Sequence, residues 1–351
     1  MYFQKIMVAS ENAVLSTLLA AAQAAGERVV VKDPEAVQLK LESFIDAGPR
    51  RLQVTIKKKK TENTCGRDVC CTQVVTDFDR TITRCFDDHG KMVSSSHGAI
   101  ETSSHMGPEF GKILHNYFLE YYPKEIDHTC TRPPQCTHTQ KKKETNARIT
   151  VSHEVREKFM TEWWTKTHDL FLQKGMRRDD VAAMVAESNL QLRRGVPELF
   201  AVLRDNKIPV LVFSAGVANV VEAFLGQNGL MTSNAHVVSN KMVFDDAGVI
   251  CGFEGELIHS LNKNGTALRN NKAGWAHDSS RTHALVLGDN TSDTQMVAGL
   301  EHDQVLSIGF LNDKVNERLD IYKDQFDIVI LNDGSMSLVK HFIDIILKSV
   351  V

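Results

Sequence analysis

"QVVTDFDRTIT", residues 73–83, sets Asp77 and Asp79 two positions apart where a short apolar run ends. Aspartate is depleted in strands, and like charges this close repel unless something positive lies near them. The pair therefore asks what the rest of the chain brings to the end of this strand. Five later runs, "IPVLVFSAG", "AHVVSN", "HALVLGD", "QVLSIGF" and "FDIVIL", are short, almost continuously apolar and separated by helical stretches. Strands buried on both faces and alternating with helices predict a parallel α/β sheet. Residues 241–258 read as a β-hairpin excursion from it.

Between the first strand and the others lie roughly a hundred residues of mostly helical period, too many for a simple crossover. The fold expected is thus a Rossmann-like parallel sheet core with an inserted helical cap. Residues 66–85 form the first part of the core, 86–192 the cap with a flexible insert near 128–150, and 193–351 the rest of the core. Residues 1–65 hold amphipathic helices over 11–25 and 34–46 that are expected to pack with the cap.

The 351 residues are 42% hydrophobic and 24% charged, with 41 Lys+Arg against 44 Asp+Glu and a net charge of −3. That balance is of the soluble globular class and offers no field to attract nucleic acid or an anionic membrane. The lysine runs at 57–60 and 141–143 lack interleaved aromatics and read as solvated loops. Seven cysteines (65, 70, 71, 85, 130, 136, 251) form no CxxC pair, which suits free thiols in a reducing compartment. His128, Cys130, Cys136 and His138 are zinc-ligand types in mirror order, but their spacing matches no common finger. No stretch approaches a membrane span and the N-terminal apolar run is interrupted, so a cytoplasmic monomer without nucleic-acid or membrane partners is expected.

Ligands of open α/β sheets bind beyond the carboxyl ends of the strands. Three of those ends carry Asp77 with Asp79, Ser214, and Asp289 with Asp293. Four carboxylates in one crevice require a cation, and an all-oxygen set suits Mg²⁺, which accepts substrate phosphate as a further ligand. In such a crevice Asp77 is placed to act as a nucleophile on phosphorus, with Asp79 as the acid for the leaving oxygen. Ser214, the amides of Ala215 and Gly216 at a helix N-terminus, and Lys263 are placed to hold phosphoryl oxygens.

"DFDRT", "FSAG", the "NK" of "SLNKNGT" and "GDNTSD" resemble, in order, the four motifs of the haloacid dehalogenase superfamily. "YYPKEID", "EWWTKTHDLF", "ESNLQLRRG", "VFSAGVANVVE", "GELIHSLNKN" and "SIGFLNDKVNERLDIY" narrow the resemblance to the cytosolic type III (pyrimidine) 5′-nucleotidases, over about 73–345. It implies Mg²⁺-dependent hydrolysis of nucleoside 5′-monophosphates, pyrimidine ones favoured. It further implies that Asp77, the Asp79 carbonyl and Asp289 ligate Mg²⁺ with Asp293 beside them, that Glu125 reads the base, and that Phe86 stacks on it. Arg80 stands where the family commonly has methionine. "SSSHGAIE" puts Gly98, with His97 beside it, where relatives carry a base-contacting Asn or His. Trp163 and Trp164 lie on an apolar helical face, from which at most one is expected to reach the pocket. The same machinery would serve a nucleoside phosphotransferase, a 7-methylguanosine monophosphate nucleotidase or a small-substrate phosphatase. A non-catalytic nucleotide-binding protein would be expected to lack Asp77 or Asp79, and both are present.

Overall fold

The computed structural model describes residues 14–47, 71–126, 129–130, 149–150, 152–270 and 280–348. The lysine runs, Cys65, Cys70 and the His128, Cys136 and His138 candidates lie outside the described residues, as does the side chain of Cys130. Cys85 and Cys251 are free thiols.

The core is an eight-stranded sheet: β1 (Val29–Val31), β2 (Thr72–Thr76), β3 (Val210–Val217), β4 (Ala235–Phe244), β5 (Ile250–Glu254), β6 (His283–Gly288), β7 (Gln304–Leu311) and β8 (Ile328–Leu331). Their spatial order is β1-β8-β7-β6-β2-β3-β4-β5. β2 runs parallel to β3 on one side, with Val74 opposite Val210, and to β6 on the other, with Thr72 opposite His283. All five of its side chains are buried, as a strand covered on both faces requires. The expected hairpin is β4–β5, antiparallel with Lys241 opposite Glu254.

Among the described residues five α-helices intervene between β2 and β3: α3 (Ser96–Glu101), α4 (Pro108–Ile126), α5 (His153–Lys174), α6 (Arg178–Glu187) and α7 (Val196–Asp205). A two-residue antiparallel pairing, Thr129–Cys130 with Ile149–Thr150, joins the two ends of the segment between α4 and α5. α5 ends at Gly175, whose φ of 63° is the left-handed C-cap conformation that glycine adopts without penalty. No described helix is long and apolar enough to cross a membrane.

The N-terminal segment departs from expectation. Its helices α1 (Val14–Ala24) and α2 (Pro34–Asp46) pack on the core rather than the cap, meeting the C-terminal helix Ser337–Lys348 and strand β7. The reason is twofold. Val29–Val31 pairs antiparallel with the edge formed by Ile328–Ile330, which satisfies backbone groups that an edge strand leaves open. Leu18, Val37, Leu41 and Phe44 are buried in the main core, Phe44 meeting Phe342 edge-on at 5.4 Å between ring centres. Pro34 at the first turn and Asp33, which accepts from the amides of Glu35 and Ala36, start α2.

Candidate active site

The carboxyl ends of β2, β3 and β6 converge as parallel packing demands. Asp77 follows β2 directly, and its amide donates to the Leu287 carbonyl at 2.9 Å, so the neighbouring strand fixes its backbone. β6 ends at Gly288. Asp289 follows, and Asn290 then caps a short 3₁₀ turn in which Asp293 Oδ2 accepts from the Asn290 amide at 2.9 Å. Asp293 thus serves the cap with one oxygen and faces the site with the other. One oxygen each from Asp77, Asp289 and Asp293 lie within 4.8 Å of one another.

Lys263, only 4% exposed, spans two of them, at 2.5 Å from Asp77 Oδ1 and 2.7 Å from Asp293 Oδ1. Burial alone would lower the lysine's pKa, but the charges of Asp293 and Asp77 reverse that and raise it. Burial pushes the Asp77 carboxyl well above its ordinary value, against the pull of Lys263 and with added repulsion from Asp293 and Asp289. The Asp289 carboxyl is pushed up to about 7 by burial and then by Asp293. One ammonium does not balance three carboxylates. This hard-oxygen, electron-rich set therefore fits a divalent cation such as Mg²⁺.

The side chain of Asp79 turns to the cap. Its oxygens accept from the Ser96 amide at 2.6 Å and the Ser96 hydroxyl at 2.5 Å. Burial raises its pKa, with those two hydrogen bonds opposing. Ser96 opens α3, and no local sequence signal marked it. Ser214 sits where the pairing of β3 with β4 is irregular, between Phe213 and Val217. The expected helix N-terminus is displaced: α8 (Ala218–Gln227) starts two residues beyond Gly216, so the amides of Ala215 and Gly216 belong to the strand end. The Gly216 amide donates to Ser214 Oγ at 3.0 Å, while the Ala215 and Gly216 carbonyls are held by Asn240 Nδ2. All three residues still line the cavity.

That cavity has a volume of about 340 Å³ and runs from Asp77 into the cap, within the range of small-ligand sites. Glu125 and His97 line it, as expected. Burial raises the Glu125 carboxyl's pKa, with Arg80 and Arg156 pulling against it. Both ring nitrogens of His97 are buried without a partner among the described residues, and burial lowers its pKa to about 4, so the ring is neutral. Phe86, expected to stack on the base, is not among the residues that line the cavity. A tight turn at Asp87–Gly90 pairs Phe86 with Met92, and Asp333 clamps the Cys85 and Phe86 amides at 2.9 and 3.0 Å. The aromatic wall comes instead from Phe118 and Tyr122 of α4, stacked 4.6 Å apart, and from both Trp163 and Trp164 of α5.

The turn bearing Asp79 is held from behind by Arg193, 1% exposed. Its guanidinium donates to the carbonyls of Thr81 (2.7 Å), Gly334 (2.6 Å) and Arg80, and to Asn312 Oδ1 (3.0 Å), and pairs with Asp333 Oδ1 at 3.0 Å. Burial lowers its pKa to about 10.

The pyrimidine 5′-nucleotidase (UMPH-1) family model matches residues 135–347. The 7-methylguanosine phosphate-specific 5′-nucleotidase A of Xenopus laevis is 33% identical over 316 residues, 89% of this chain and 93% of the relative. The human 7-methylguanosine phosphate-specific 5′-nucleotidase is 36% identical over 277 residues, 78% of this chain and 84% of the relative. The crystal structure of cytosolic 5′-nucleotidase IIIB bound to cytidine superposes with a TM-score of 0.74 at 28% identity, covering 95% of this chain and 98% of that one. The chain belongs to the pyrimidine 5′-nucleotidase family, a family of hydrolases.

Proposed function

We propose that this chain hydrolyses nucleoside 5′-monophosphates to nucleoside and phosphate through a phosphorylated Asp77, with Mg²⁺ as cofactor. The observation that carries the reading is the meeting of Asp77, Lys263, Asp289 and Asp293 at one strand end, with Asp79 gripped from the cap. Asp77 attacks phosphorus and the ester oxygen leaves with a proton from Asp79, whose raised pKa suits an acid. Asp79 then takes a proton from the water that attacks the aspartyl phosphate, so phosphate departs and both carboxyl groups return to their starting states. Ser214 and Lys263 hold phosphoryl oxygens, Lys263 offsetting the charge that builds on them. Asp77, Asp289 and Asp293, with the Asp79 carbonyl, would hold Mg²⁺, which supplies electrophilic neutralisation of the phosphate.

UMP and CMP are the substrates that family membership favours. A second reading, 7-methylguanosine monophosphate, is supported by the wall itself. Trp163, Trp164, Phe118 and Tyr122 with the carboxyl of Glu125 suit a base bearing a positive charge. A cytosolic place of action accords with the relatives' names.

Phosphate release from UMP, CMP and 7-methylguanosine monophosphate, with and without Mg²⁺, tests the proposal. Release from at least one of them is expected, lost on chelation and restored by added Mg²⁺; release that survives chelation, or none from any nucleotide, would refute it. Gly288 offers a finer check. A Cβ there would collide with Cβ and Cγ of Asp293, so Gly288→Ala is expected to displace that carboxylate. Stability should fall by about 1–3 kcal/mol, and the half-saturating Mg²⁺ concentration should rise, as a metal titration of activity would record.

A further inference from the structure

Arg80 is held by its backbone, while among the described residues its guanidinium hydrogen-bonds a phenol and a thioether rather than a carboxylate. Its φ of 59° is left-handed, a conformation that costs a non-glycine residue energy and persists only when its surroundings enforce it. Here they do: its amide donates to Thr83 Oγ1 at 2.8 Å, and its carbonyl accepts from Arg193 and from Asn312 Nδ2 at 3.0 Å. The side chain is thereby aimed into the cavity from the residue next to Asp79. Among the described residues its hydrogen-bond partners are the Tyr122 hydroxyl, at 3.0 Å from Nη1, and the Met92 sulfur, at 3.8 Å from Nη2. Both are neutral, and a thioether is a weak acceptor.

The contrast with Lys263 is instructive. The ammonium of Lys263 already meets two carboxylate oxygens. Arg80 brings five N–H donors in a planar fork, yet bonds a phenol and a thioether. A phosphoryl group is doubly charged and accepts a guanidinium in bidentate fashion, which a phenol hydroxyl does not match.

We infer that Arg80 is a substrate-binding residue whose guanidinium leaves the Tyr122 hydroxyl to grip the phosphoryl oxygens of the nucleotide. This rests on the nucleotidase reading and adds to it a second cationic contact beside Lys263. The competing role for Arg80 is a strut that pins the cap to the core through Tyr122, with no part in holding phosphate.

Calorimetric titration of the full chain with inorganic phosphate in the presence of Mg²⁺, alongside UMP kinetics, separates the two. In Arg80→Met the dissociation constant for phosphate and the KM for UMP are each expected to rise about tenfold or more, the worth of a hydrogen bond to a charged group. Arg80→Lys should recover part of both losses. Tyr122→Phe, which keeps the ring and removes the competing acceptor, is expected to tighten phosphate binding. The inference is overturned if Arg80→Met binds phosphate as the parent does, or if Tyr122→Phe reproduces the Arg80→Met losses. Thermal unfolding of each variant identifies any that fails to fold, and Arg80→Lys then carries the comparison. Phosphate binding is read without turnover, so a failure of the nucleotidase reading, seen as absent release from every nucleotide, remains distinguishable.

Discussion

Asp77→Asn is expected to lower phosphate release by on the order of 10⁴-fold or more, because the amide cannot accept phosphorus and return it. The substitution removes a buried charge that Asp293 and Asp289 repel, so the folded state should tolerate it. Lys263 keeps Asp293 at 2.7 Å. Thermal unfolding within a few degrees of the parent, with nucleotide binding retained, would accompany the loss. Activity near that of the parent would remove Asp77 from the mechanism and end the aspartyl-phosphate proposal.

Arg193→Met should produce the largest loss of stability of any single change considered, about 3–5 kcal/mol in urea unfolding. The guanidinium satisfies carbonyls from two separate loops as well as Asn312 and Asp333. Methionine fills much of the volume against Phe310, over which Arg193 lies at 4.3 Å, but takes from Asp333 its close cationic partner and leaves it only Arg84, at 3.9 Å. Adding Asp333→Asn is therefore expected to recover part of the stability. Arg193→Lys should recover little, since one ammonium cannot reach acceptors arranged for a fork. A loss below about 1 kcal/mol for Arg193→Met would show that water replaces the guanidinium at little cost.

The catalytic end of the site was legible because polar residues at the ends of apolar strands are conspicuous, and parallel strands bring their carboxyl ends together. Asp77, Asp79, Ser214, Asp289 and Asp293 all carry that mark, whereas Lys263 lies in a loop before the helix Gly265–Asn270 and does not. The base end was not, since its walls come from helices. Phe118 and Tyr122 at i and i+4, and Trp163 with Trp164, have the spacing of an ordinary buried face, and nothing in sequence separates packing against a neighbour from lining a cavity. Phe86 follows only from the family resemblance, and the turn at Asp87–Gly90 takes it away from the cavity lining. Ser96 and Arg193 act on loops far away in sequence, a relation that periodicity does not encode. The amphipathic faces of α1 and α2 announced burial without naming the partner. The three-residue strand between them, which decides the question, is too short to stand out.

The placement of β2 at the centre of the sheet has a consequence for biosynthesis. Val74 waits for Val210 and Thr72 for His283, while Val29 waits longer still, for Ile330. A chain emerging from the ribosome therefore presents two apolar strands whose partners have not yet been made, the kind of exposed edge that slows folding and attracts chaperones. Asp289 and Asp293 come into being only after that wait, so a nascent chain that stops short of Gly288 has its first motif and no site.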